Sequence, residues 1–544
     1  MPMATVMATS TVRVTRLKAQ NPGSQAATGV FLGLQIVHFY KYAYTNCTYK
    51  GAPLDKPVDV FDRDVEWQDL ADFVTSTLPG LRIAVVYGRR RQGKSYLLRR
   101  LAEAANGLYH LATEQGEALS LRRFGDALAQ WQGLPVGALR FDGWEPALDT
   151  AIELMVKRGD RLLVLDEFPY LAAATPGLAS IVQSLYDRIG PGSRHAPVRL
   201  ILCGSAISVM SELLAGTKAL RGRGALEARI TPFSYRDARA FWGIDDLGIA
   251  FMHHALMGGT PGYRELVNQP SVPERPGRFG EWMARNVLRP SAPLFTEATR
   301  VIHEDPRIRD TATYSSVLAV IAAGETSATK IGGLLGRPAT SLIHQINMLE
   351  SAGFVERRQD LLLDRRPSFA VADPVMRLHH LVIEPYLADL EAGRATEVWQ
   401  EAQHTVETRI LGPHFESLAV EWVRTHARAE AGLEVGATGQ SSVACRQHRV
   451  SHEIDVLSLA RGVRPRASGA PIAFIGEAKA RDRRPGPNEL RHLEHLRDLL
   501  TAAGHDASTA TLGLFSTNGF AEELVRESSG RPILLATLND LYVG

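Results

Sequence analysis

The run Val85-Val86-Tyr87-Gly88-Arg89-Arg90-Arg91-Gln92-Gly93-Lys94-Ser95 constrains this chain more than any other segment. An apolar, strand-like stretch leads into G-x-x-x-x-G-K-S, and a helical pattern through Leu97, Leu98 and Leu101 follows. That strand–loop–helix setting is what a phosphate-binding loop requires. Gly88 and Gly93 permit backbone torsions that a Cβ forbids. The loop N–H groups then form a nest for phosphate oxygens, and the helix N-terminus adds partial positive charge. Lys94 has the length to meet the β- and γ-phosphates, and the Ser95 hydroxyl is placed to coordinate Mg²⁺. The expected ligand is a nucleoside triphosphate, ATP with Mg²⁺.

With 544 residues the chain is too long for one core, and about three or four domains are expected. A net charge of +2 gives no bulk argument for a polyanion partner. Basic residues are instead locally dense, at Arg357–Arg358, Arg365–Arg366 and Arg481–Arg484. The three cysteines lie far apart and form no CxxC pair. That argues against a structural zinc site and a disulfide framework, and suits a reducing cytoplasm. No apolar run is long enough to span a membrane.

Residues 1–56 show no sustained period and are expected to be a disordered or poorly packed extension. Strands then alternate with helices over 57–245, the sign of a parallel sheet covered on both faces. The expected strands are Arg82–Tyr87, Gly107–Ala112, Arg161–Asp166, Val198–Cys203 and Ala228–Pro232. Residues 246–305 read as a helical lid. Helix, helix–turn–helix and a two-stranded wing over 306–385 read as a winged helix, with Ser327 as an N-cap. An α/β domain closes the chain over 386–544.

The apolar strand ending in Asp166-Glu167 delivers two carboxylates to the same edge as the phosphate loop. Asp166 is expected to hold Mg²⁺ and Glu167 to orient the attacking water. Ser205, after the strand Leu200–Cys203, lies either between γ-phosphate and water or at the cap of the next helix. Arg221 and Arg223 are either a finger on the γ-phosphate, from this chain or another copy, or a basic loop. Gly258-Gly259-Thr260-Pro261-Gly262-Tyr263 is a tight turn, packed over the nucleotide base or joining two helices.

These stretches, with Phe61-Asp62-Arg63-Asp64, Leu165-Asp166-Glu167-Phe168-Pro169-Tyr170-Leu171 and Thr231-Pro232-Phe233-Ser234-Tyr235, resemble the archaeal-type ATPase family of AAA+/STAND nucleotide-binding proteins. The resemblance covers about residues 58–270 and implies ATP binding, with hydrolysis on Asp166 and Glu167. It implies no particular task for that hydrolysis.

In the winged helix, Ala339–Ala352 would be the helix that enters a DNA major groove, presenting Thr340, Ser341, His344 and Gln345. Arg337, Arg357 and Arg358 would meet phosphates. The alternative is a winged helix used only for protein packing. In the last domain, His452-Glu453-Ile454-Asp455 alternates, so Glu453 and Asp455 share a strand face, as do Glu477 and Lys479 on the next strand. Asp455, Glu477 and an upstream helical Glu416 (with Glu421 second) are candidate Mg²⁺ ligands, and Lys479 would orient the attacking water. This pattern resembles the PD-(D/E)xK nuclease superfamily, although Ile454 stands where the name's proline would. The expected architecture is thus a P-loop NTPase parallel sheet with helical lid, a winged helix-turn-helix, and a restriction-endonuclease-like α/β domain. The expected function is an ATPase coupled to a nucleic-acid-binding or nuclease-like domain, DNA being favoured over RNA. An ATP-dependent signalling or assembly switch, or a transcription regulator with an inert tail, are the alternatives, with a second copy or another protein as partner.

Overall fold

The computed structural model describes residues 54–544, apart from 217, 269, 304–307, 309, 446 and 448. The expected loose extension over 1–56 falls almost wholly on 1–53, outside the described residues.

The first sheet contains β1 (Leu81–Tyr87), β2 (Leu108–Leu111), β3 (Leu162–Asp166), β4 (Val198–Gly204) and β5 (Gly224–Arg229). Its order is β2-β3-β4-β1-β5, and every pairing is parallel. Leu81, Ile83 and Val85 enter one core while Ala84 and Val86 enter the other. Leu163 and Leu165 are separated from Leu162 and Val164 in the same way. Both faces of the sheet are therefore apolar, which is why its strands read as unbroken hydrophobic runs. Parallel pairing brings all the strand C-termini to one edge. There β4 stands between β1 and β3.

Helices Tyr235–Trp242, Leu247–Met257 and Phe279–Asn286 follow the sheet, the last two within the 246–305 segment. Ser234 and Asp246 cap the first two, each accepting from the N–H three residues on. Phe251 and Trp282 of these helices share a core with Trp422 of the helix Gly412–Thr425, and with Phe474 and Phe515 of the C-terminal sheet.

Between them lie helices Thr311–Ala322, Ala328–Leu334 and Ala339–Ser351, then the antiparallel strands β6 (Val355–Arg358) and β7 (Ser368–Val371). Ser327 caps the second helix by accepting from the Lys330 N–H. Val317, Leu318, Ile331, Leu342, Ile346 and Phe369 form its core.

The C-terminal sheet contains β8 (Val435–Cys445), β9 (Val450–Ala460), β10 (Ile472–Lys479), β11 (Thr511–Ser516) and β12 (Ile533–Thr537), in the order β12-β11-β10-β9-β8. β8, β9 and β10 pair antiparallel, and β10, β11 and β12 pair parallel. The helix Pro487–Ala502 covers one face through Leu490, Leu493, Leu496 and Leu500.

Candidate functional site

β1 ends at Tyr87, and the chain turns at Gly88. A Cβ there would lie 2.2 Å from the Ile230 carbonyl oxygen, so the close approach requires glycine. Gly93 takes φ +87° and caps the helix Lys94–Ala104. Lys94 is 4% exposed, and its Nζ donates to the Arg89 carbonyl at 2.8 Å. The ammonium is thus held inside the curve of its own loop, with Ser95 half-buried beside it. A glycine-shaped cradle, a buried lysine and a helix N-terminus together fit a polyphosphate chain.

β3 delivers Asp166 fully buried. Tyr109 on β2 donates to its Oδ2 at 2.6 Å, and the Glu167 N–H donates to its Oδ1 at 2.9 Å. Burial and the nearby Asp166 carboxylate push up both the Tyr109 hydroxyl and the Cys203 thiol on β4, so both stay protonated beside it. Glu167 adopts φ +53°, an uncommon conformation for a non-glycine residue. Its Oε2 accepts from the Ser205 N–H at 3.3 Å and the Ser205 hydroxyl at 3.1 Å. Because β4 lies between β1 and β3, Ser205 stands between the phosphate loop and the acidic strand end. It engages Glu167 directly.

The structure does not bring Arg221 and Arg223 to this edge. β5 pairs Gly224 with Ile83 and Arg229 with Tyr87. Residues before Gly224 therefore lie at the opposite end of the sheet, about 15 Å or more from the loop at a strand rise of about 3.3 Å per residue. Arg223 pairs with Asp187 instead, Nε to Oδ1 at 3.0 Å. The reading of these arginines as a finger within this chain is corrected. The strand begins at Gly224 rather than Ala228, but with either start residues that precede a strand parallel to β1 lie at the edge away from the phosphate loop.

Residues 60–245 match the family model described as an ATPase domain predominantly from Archaea. This segment is an archaeal-type ATPase domain. The chain is 24% identical over 336 residues to an uncharacterized protein of Methanocaldococcus jannaschii, covering 61% of this chain and 70% of that one. Among solved structures it is similar to the Walker-type ATPase of Pyrococcus abyssi, with a TM-score of 0.47 and 18% identity, over 59% of this chain and 96% of that one. It is also similar to the Aeropyrum pernix ORC2 protein, with a TM-score of 0.37 and 15% identity, over 64% of this chain and 96% of that one.

Two loop arginines reach out of the ATPase domain. Arg89 Nη1 lies 2.9 Å from Oδ2 of Asp373, which is 3% exposed. Burial works against the Arg89 charge, but Asp373 and Tyr263 more than offset it and hold its pKa up. The Tyr263 hydroxyl donates to the same Oδ2 at 3.1 Å. Asp373 Oδ1 accepts from the Met376 N–H and caps the helix Pro374–Leu378. Arg91 makes a two-bonded ion pair with Glu297, at 2.5 and 3.1 Å. The Gly262 N–H donates to the Arg91 carbonyl, and a Cβ on Gly262 would lie 2.6 Å from Arg91 Cβ. The Gly258–Tyr263 turn thus braces the phosphate loop against the segment that follows β7.

A second cluster forms in the C-terminal sheet. Gly476 pairs with Val456, so the next step sets Glu477 opposite Asp455. Asp455 Oδ2 accepts from the Ala478 N–H at 3.0 Å, and Lys479 Nζ lies 2.5 Å from Glu477 Oε1. Burial, then Asp455, pushes the Glu416 carboxyl up to about 7, while Lys479 draws it down. Burial likewise raises Asp455. Glu416, Asp455, Glu477 and Lys479 are therefore electrostatic neighbours. Glu421 is not among them; its charged neighbours are Arg424 and Asp237. Glu477 Oε2 is buried without a hydrogen-bond partner among the described residues. An orphaned carboxylate oxygen amid two further acids fits a divalent cation.

On the helix Ala339–Ser351, Thr340, Ser341 and His344 are exposed and Gln345 is half-buried. Arg357 and Arg358 on β6 are engaged within the chain. Arg357 pairs with Glu350 at 2.7 Å, and Arg358 pairs with Glu356 at 3.0 Å and donates to the Ser417 hydroxyl.

Proposed function

We propose that this chain binds ATP with Mg²⁺ at Gly88, Gly93, Lys94, Ser95 and Asp166, and hydrolyses it with Glu167 orienting the water. Ser205 acts as a positioning residue, holding Glu167 at the end of β4. Nucleotide state is transmitted through Asp373 and Glu297 to a winged helix, and onward to a Mg²⁺-dependent nuclease-like site of Glu416, Asp455, Glu477 and Lys479. DNA is the favoured substrate, met by the exposed Thr340, Ser341 and His344.

The observation that carries this reading is the convergence of the C-terminal acids with Lys479. A carboxylate set that binds a cation and an ammonium beside it supply charge stabilisation and water orientation for phosphodiester cleavage. The test is a cleavage assay with Mg²⁺ and Mn²⁺ on plasmid, linear and single-stranded DNA and on RNA. Loss of cleavage in Asp455→Ala with ATP hydrolysis intact is the expected result. Unchanged cleavage in that variant would remove the site from the reaction.

A second reading is a nucleotide switch whose C-terminal domain binds without cutting. The ion pairs of Arg89 and Arg91 favour it, because they tie the phosphate loop to the rest of the chain whatever the last domain does. Nucleotide-dependent change in protease sensitivity around 297–373, with no cleavage under either metal, would select it.

A further inference from the structure

The antiparallel pairing of β8 with β9 brings together residues that the sequence keeps apart. Cys445 ends β8, and His452 lies near the start of β9. The register Val443↔His452 and Cys445↔Val450 puts Cys445 and His452 on one face of the hairpin. Val443 and Ile454, on that same face, share a core with Leu493 and Leu496 of the helix Pro487–Ala502. The helix therefore lies over this end of the hairpin, and it carries His492 and His495 one turn apart. The thiol of Cys445 and ring nitrogens of His452 and His495 lie within 4.8 Å of one another. Cys445 is 2% exposed, and both histidines are half-buried. The His492 ring centroid is 5.3 Å from that of His452.

We propose that Cys445, His452 and His495 bind a Zn²⁺ ion. One thiolate and two imidazoles are the borderline-soft donor set that zinc selects over Mg²⁺ or Ca²⁺. In a tetrahedral site the sulfur and nitrogen ligands stand about 3.5 Å apart, given bond lengths of about 2.3 and 2.0 Å. The present spacing reaches that by small side-chain adjustments. The fourth position is left to water, with His492 beside it. The ion would staple the helix Pro487–Ala502 to the β8–β9 hairpin beside the core formed by Leu493 and Leu496. It would be separate from the acidic cluster, which is built with the helix Gly412–Thr425 and contains no sulfur donor. Spacing in the sequence gives no sign of the site, because its ligands come from two strands and a helix that only the fold superposes.

The test uses the full-length chain, stripped with a chelator and titrated with Zn²⁺ and with Co²⁺ as a visible substitute. A stoichiometric Zn²⁺ per chain, and a thiolate-to-cobalt charge-transfer band with tetrahedral d–d bands, are expected. Cys445→Ser should lose the charge-transfer band, and His495→Ala should weaken zinc retention at least tenfold. Asp455→Ala should leave all of these unchanged, so the outcome is independent of whether the acidic site cuts. A wild-type chain that takes up cobalt without a charge-transfer band, or binds no zinc after refilling, would overturn the proposal. Should Cys445→Ser fail to fold, the wild-type cobalt spectrum decides alone.

Discussion

Replacing Asp373 by Asn tests the link between the phosphate loop and the rest of the chain. The amide keeps an acceptor for the Met376 N–H, so the helix cap survives in large part. It removes the counter-charge of Arg89, whose side chain is only 11% exposed. Breaking one partner out of a buried ion pair costs about 3–5 kcal/mol. The retained amide oxygen, and the packing of Arg89 over the Phe354 ring at 5.0 Å, set the expectation at the lower end, about 3 kcal/mol. Arg89→Met combined with Asp373→Asn removes both charges, so the double variant should recover part of the loss. A coupling of about 1–3 kcal/mol is expected from the cycle. Urea denaturation of the four proteins gives the stability term, and ATP titration gives a second readout. The Arg89 carbonyl holds Lys94, so Asp373→Asn should alter ATP affinity although Asp373 lies at the cap of the helix Pro374–Leu378, far along the chain from the loop. Additive single effects, within about 0.5 kcal/mol, together with unchanged ATP affinity would refute the clamp.

Lys94→Ala should abolish tight ATP binding, as read by equilibrium titration. Glu167→Gln should bind ATP yet hydrolyse it about two to three powers of ten more slowly, a loss of about 2–4 kcal/mol in transition-state stabilisation measured by phosphate release. Glu416 is raised from 4.5 to about 7, so the folded chain holds its proton over a window in which the unfolded chain has released it. Stability without divalent metal should therefore fall as pH rises from about 4.5 to about 7, and metal binding should strengthen over the same window; pH-dependent melting with and without Mg²⁺ checks both. Lys479→Ala should slow cleavage while leaving metal affinity in place, because an ammonium is not a ligand.

The phosphate loop was legible because its residues are consecutive and its strand and helix adjoin it. Asp166 and Glu167 were legible for the same reason, and Asp455, Glu477 and Lys479 because period-two alternation assigns a strand face. Ser205 left two roles open, and only the strand order, with β4 between β1 and β3, puts it on Glu167. The arginine finger failed on strand direction: Arg221 and Arg223 precede β5, which runs parallel to β1, so they lie at the edge away from the phosphate loop. The Arg89–Asp373 and Arg91–Glu297 pairs join residues hundreds of positions apart, and no local period encodes such pairing. The Arg357 and Arg358 pairs with Glu350 and Glu356 were hidden similarly, since a basic run does not show which acids the fold sets beside it.

In the function proposed above, ATP turnover in the first domain governs a metal-dependent site in the last. This coupling is tested most directly by measuring Mg²⁺- or Mn²⁺-dependent DNA cleavage in the wild type with no nucleotide, ATP or ADP, beside Lys94→Ala and Asp455→Ala. Cleavage should change with the nucleotide in the wild type, lose that dependence in Lys94→Ala, and disappear in Asp455→Ala. Cleavage that is identical in all nucleotide conditions, or that survives in Asp455→Ala, would contradict it.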